Sequence, residues 1–201
     1  MSGEVIGKLS YGQQLVVVEV DDREFEFEIM QRVTTQKQDF PRMAVSARFI
    51  KITTAGAAGY VFAGLVSRLK PIDKKETLES YFNRIFGQLK VLIDIHHDNL
   101  DKLKRIAYAN GAILQEETGR EYWSESLYII PDVTVLEAYL LINRIHGFEN
   151  EYKRQVRESN WIETHPTKFK DDEIVLQLGP LEEASIKRER RYVVVVKKSS
   201  D

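Results

Sequence analysis

Apolar and polar positions change rhythm once along this chain, near Pro71. Before that point they follow the period of two that marks half-buried strands. Val5 to Leu9 is short and apolar, and Ser10-Tyr11-Gly12 is a turn signal. Leu15 to Val20 is rich in β-branched residues and predicts a buried strand. Phe25, Phe27 and Ile29 then alternate with Glu24, Glu26 and Glu28, as in a strand with one wet face. Thr34 to Ala47 predicts a longer loop, punctuated by Phe40-Pro41. Phe49 to Ile52 and Tyr60 to Phe62 flank the turn bracketed by Gly56 and Gly59. Together they predict a hairpin whose closing segment ends at Pro71.

After Pro71 a helical period enters. Leu78, Tyr81, Phe82, Ile85 and Phe86 share one helix face, with Asp73 and Glu76 as the expected capping pair and Gly87 as the stop. Leu89 to Ile95 predicts a strand, and His96 to Asn99 a loop. Asn110-Gly111 between apolar alternations predicts a tight hairpin. Glu121 to Ile130 extends it, with Trp123, Leu127 and Ile129 expected on one face. Thr134-x-x-Glu137 is a capping box, and Leu136, Tyr139, Leu140 and Asn143 carry a second helix to Gly147. Phe148 to Lys170 is polar and irregular, with a helical stretch near Glu149 to Val156. Glu173 to Leu178 and Tyr192 to Val196 predict two closing strands joined by a charged segment. No internal repeat stands out. The pattern predicts two domains: residues 1–71, all β, and residues 72–201, an α+β unit of two helices on an antiparallel sheet.

Composition narrows the classes. The chain has 201 residues, 29 Lys and Arg against 31 Asp and Glu, and a formal net charge of -2. That balance argues against a general nucleic-acid binder, which carries a basic excess. The absence of cysteine removes disulfides, thiolate metal sites and a cysteine nucleophile. No apolar run approaches the roughly twenty residues that span a bilayer as a helix.

Candidate chemistry is sparse. His96-His97-Asp98 is the first place for a metal, with His146 and His165 as distant partners, but adjacent histidines on a strand point to opposite faces. No metal or cofactor is therefore expected. Glu116, Glu117, Glu121 and Glu125 cluster around the second hairpin and are the carboxylates a hydrolase would use. No Gly-x-Ser-x-Gly or phosphate loop occurs. Lys187, Arg188, Arg190 and Arg191 read as a solvated hairpin tip. Aromatic residues in the turns are the stronger candidates. Tyr11, Tyr60 and Phe62 are the expected ligand-binding residues, since a tyrosine offers an apolar ring and a polar tip.

Val5-Ile6-Gly7-Lys8-Leu9, Tyr11-Gly12, the strand to Val20, and Gly56-x-x-Gly59-Tyr60-Val61 leading to Leu69 resemble the bacterial SH3-like (SH3b) domain. The resemblance covers about the first third of the chain. It implies a small barrel in an exported or cell-envelope protein, binding a cell-wall peptide or another envelope protein. The family usually has tryptophan where this chain has Phe49. It also opens with a strand that Met1-Ser2-Gly3-Glu4 does not supply. A trimmed start is expected to leave a barrel edge open to a second copy. A lost leader would place the protein in the periplasm or at the cell surface. With its second unit, the chain resembles SH3-containing proteins of Bacteroidetes-type bacteria, whose second domain has no assigned activity. The expectation is a non-catalytic binding or scaffolding protein. The alternatives are a cell-wall hydrolase using carboxylates of the C-terminal domain, and an intracellular interaction or immunity-type protein.

Overall fold

The computed structural model describes residues 7–30, 33–34, 39–40, 43–54, 57–73, 75–96, 101–119, 123–147, 168–170, 172–179 and 181–200. In the N-terminal third, β1 (Val16–Met30) pairs antiparallel with β4 (Met43–Thr53), and β4 with β5 (Ala58–Phe62). Two short strands, β2 (Val33–Thr34) and β3 (Asp39–Phe40), pair with each other. A 3-10 turn, Ala63–Leu65, follows β5. Among the described residues these strands form an open three-stranded sheet, not a closed barrel. The predicted hairpin is present, pairing Phe49 with Phe62 and Thr53 with Ala58. Two expectations need correction. The expected loop from Thr34 to Ala47 contains strand structure: Thr34 ends β2, Asp39–Phe40 is β3, and β4 begins at Met43, which pairs with Met30 at the end of β1. The Leu15–Val20 strand exists but is not buried: Val16 is 64% exposed, and Val17, Val18 and Val20 are also exposed. β1 is an outer strand of its sheet, so it has a neighbour on one side only.

Among the described residues, the rest of the chain builds one antiparallel sheet of eight strands beneath two helices. Helix α1 (Leu78–Phe86) leads into β6 (Gln88–His96), β7 (Lys102–Tyr108), β8 (Ile113–Thr118) and β9 (Ser124–Pro131). Helix α2 (Val135–His146) leads into β10 (Lys168–Lys170), β11 (Glu173–Gly179), β12 (Glu182–Glu189) and β13 (Tyr192–Ser199). This is the α+β class the sequence predicts. The capping box of α2 is present, while α1 is capped by Thr77, whose hydroxyl accepts from the Ser80 amide, and not by the Asp73–Glu76 pair. Both helices end on a glycine at positive φ, Gly87 and Gly147, which an L side chain rarely adopts. The Asn110-Gly111 turn joins β7 to β8. Two further corrections apply. The charged segment before Tyr192 is itself a strand, β12, whose Ala184 and Ile186 are buried while the intervening side chains are wetter. His96 ends β6 and is not in a loop; His97, Asp98 and Asn99 lie outside the described residues, as do Glu121, Glu149 to Val156 and His165.

Strand order across the sheet is β10-β11-β12-β13-β9-β8-β7-β6. Read outward from the β9–β13 pair, each half is a four-strand meander preceded by its own helix. The halves thus share one element order, laid out in opposite directions from the β9–β13 pair. Their helices carry the trace in sequence: Leu78-Glu79-Ser80-Tyr81 and Asn83-Arg84-Ile85-Phe86-Gly87 match Leu136-Glu137-Ala138-Tyr139 and Asn143-Arg144-Ile145-His146-Gly147. An internal repeat exists where none was expected. Two extra residues between Tyr139 and Asn143 put its two helices out of step.

Helix and sheet share one core, with Tyr81, Phe82, Tyr139 and Ile142 packed over Ile106, Leu114, Tyr128, Ile130, Val193 and Val195. Phe82 meets Tyr108 edge-on at 5.3 Å between ring centroids, a favoured aromatic geometry. No described helix is long and apolar enough to cross a membrane.

Candidate functional site: a cleft between the strap and the second helix

Segment 66–73 runs from the three-stranded sheet to α1 and is tied to both helices. At one end the Arg68 amide and guanidinium donate to Glu137 at 2.8 to 3.0 Å, and the guanidinium also reaches the Asp132 carbonyl. Thr134 donates to the same carboxylate at 2.8 Å. Burial pushes the Glu137 carboxyl up, but these donors prevail and bring it down to about 2. Further along, the Tyr81 hydroxyl donates to the Lys70 carbonyl at 2.7 Å. Burial raises that phenol to about 12. Arg84 donates to the Pro71 carbonyl at 3.1 Å. Leu69 and Ile72 meanwhile pack with the main core.

This strap positions Tyr11. Tyr11 sits inside a turn closed by the Gln13 amide donating to the Ser10 carbonyl at 3.0 Å. Gly12 sits at φ 78°, and a Cβ there would lie 2.9 Å from the Pro71 ring. Glycine is therefore required for both conformation and space. The Tyr11 hydroxyl accepts from the Ile72 amide at 3.1 Å, and the Arg144 guanidinium lies 4.7 Å from its ring centroid. The ring remains 62% exposed. Beside this stack is a cleft of about 310 Å³ lined by Ile72, Asp73, Glu76, Arg144 and Ile145. Glu76 is engaged, accepting from Arg84 at 2.8 and 2.7 Å and from the Asp73 amide at 3.1 Å. The Arg84 bonds, ahead of burial, set the lowered pKa of Glu76.

The three predicted ligand residues are not brought to one place. Tyr11 lies beneath Arg144, which lines the cleft, but is not itself part of the lining. Tyr60 is 57% exposed on β5, paired with Lys51. Phe62 is 7% exposed and forms an aromatic cluster with Phe27 and Phe49, at 5.4 and 5.8 Å between centroids. Arg144, Asp73 and Arg84 were not anticipated from the sequence. The signal that could have found the two arginines is the repeated Asn-Arg-Ile-x-Gly.

The sheet separates the acidic cluster. Glu116 follows the buried Leu114 by two residues and shares the helix-covered face, where burial and then Glu79 raise its pKa. Glu117 and Glu125 are direct cross-strand partners on the other face, and Glu125 is paired with Lys198 at 3.1 Å. Among the described residues no three His, Asp or Glu side chains converge as metal ligands; His96 pairs with Asp94 at 2.7 Å. His146 stacks on Tyr128, and burial, followed by Lys197, pushes it down to about 4. In the basic segment, Arg188 reaches the Val133 carbonyl and Arg191 lies over Tyr192. Comparison with protein-family models, curated proteins and solved structures finds no match for this chain.

Proposed function

We propose that this chain is a non-catalytic binding or scaffolding protein of the bacterial cell envelope. In this reading the three-stranded sheet belongs to an SH3-like barrel, and the partner is a cell-wall peptide or another envelope protein. The envelope assignment, periplasmic or cell-surface, rests on the sequence resemblance. The binding role rests on one observation, the cleft beside the Tyr11–Arg144 stack. A concave pocket on which a few polar groups converge is the usual form of a ligand site. The exposed valines of β1 support a second copy pairing along that edge.

Retention on purified peptidoglycan tests the reading. The wild type is expected to be retained and Tyr11→Ala to be released, with thermal unfolding confirming that the variant is folded. No retention of the wild type would overturn the envelope reading.

A further inference from the structure

We infer that Arg144 receives the carboxylate of a small zwitterion, an amino acid or short peptide with free ends, in the cleft beside Tyr11. The inference rests on the binding role above and names what the cleft takes. The internal repeat carries the argument. Arg84 and Arg144 hold the same position in the two Asn-Arg-Ile-x-Gly segments. Each guanidinium lies over a tyrosine ring, Arg84 at 5.3 Å from the centroid of Tyr81 and Arg144 at 4.7 Å from that of Tyr11. Arg84 then completes the arrangement with a two-pronged pair to Glu76. Arg144 has no carboxylate partner among the described residues. A guanidinium is a rigid planar fork matched to a carboxylate, and lying on an aromatic face leaves that fork available.

The cleft supplies the remaining recognition. Asp73 lines it, placing a negative charge where an ammonium can sit, whereas Glu76 is occupied by Arg84. Ile72 and Ile145 add an apolar wall against which a short side chain can rest. Its volume of about 310 Å³ suits a ligand of amino-acid or dipeptide size.

Calorimetric titration of the full chain with dialanine and with free alanine tests this, and comparing the two separates a peptide from an amino acid. Binding of at least one is expected. Amidating the carboxylate of the probe that binds, or replacing Arg144→Met, should each weaken binding about tenfold or more, the effect of losing charge-assisted hydrogen bonds. N-acetylating the probe should weaken it as Asp73→Asn does. Thermal unfolding of both variants confirms that they are folded. Undiminished binding by Arg144→Met overturns the inference. Undiminished binding of the acetylated probe overturns the ammonium site at Asp73. Binding of neither alanine nor dialanine by the wild type also overturns it. Retention on peptidoglycan then decides the broader binding role independently.

Discussion

Glu137 shows how much one carboxylate can organise. Its two oxygens meet three donors from Arg68 and one from Thr134, so it caps α2 and fixes the strap together. A neutral amide cannot accept at all these positions, so Glu137→Gln is expected to destabilise the fold by about 2 kcal/mol. Chemical denaturation measures that loss. The carboxyl titrates at about 2, against an ordinary value of 4.5. Its contribution is therefore complete above the ordinary value and fades as pH falls towards 2. His146 acts earlier on the same descent. It is held neutral, with its value brought from 6.5 to about 4, so stability falls as pH drops through that interval. Unfolding midpoints measured across this range should decline in two stages, and His146→Gln should flatten the first.

At the scale of elements, some signals were local and others were not. The Asn110-Gly111 turn, the Thr134–Glu137 box and the two glycine stops each lie within a few residues, and all could be read from the sequence. Gly111 has φ of 88°, so Gly111→Ala should cost about 1 kcal/mol, visible as a lowered unfolding temperature. β12 was missed because only Ala184 and Ile186 face the core, while charged neighbours dominate its composition. The exposure of β1 was illegible because its valines look alike in an outer strand and a central one. Of the residues at the cleft and its stack, only Tyr11 was legible as a binding candidate, and it lies beneath Arg144 rather than in the lining. Arg144 and Asp73 are more than seventy residues apart and come to one cleft only through the tertiary fold.

At the scale of the whole molecule, the duplicated helix-and-meander unit explains the width of the sheet. Two four-strand halves meet at β9 and β13 in an unbroken antiparallel register from Tyr192–Pro131 to Ser199–Ser124. The outer strands differ in their surroundings. β10 lies against β4 of the first sheet, while β6 leaves Leu89 70% exposed, with Leu92 and Ile95 also exposed. Two irregularities in the β6–β7 register and the charges of Lys90 and Asp94 guard that edge, as outer strands require.

The strap also limits how the protein can be dissected or recombined. The change of rhythm near Pro71 invites a cut there, yet Leu69 belongs to the larger core and Arg68 holds the carboxylate that caps α2. A chain beginning at Ile72 would lose both and leave the Tyr81 hydroxyl without its carbonyl acceptor. It should melt at a markedly lower temperature than one beginning at Val66. Equal melting of the two would mean that the strap is dispensable to the larger unit. If it is not, natural or engineered exchange of the first unit must carry the strap with the helices, because modularity here begins before the sequence says it does.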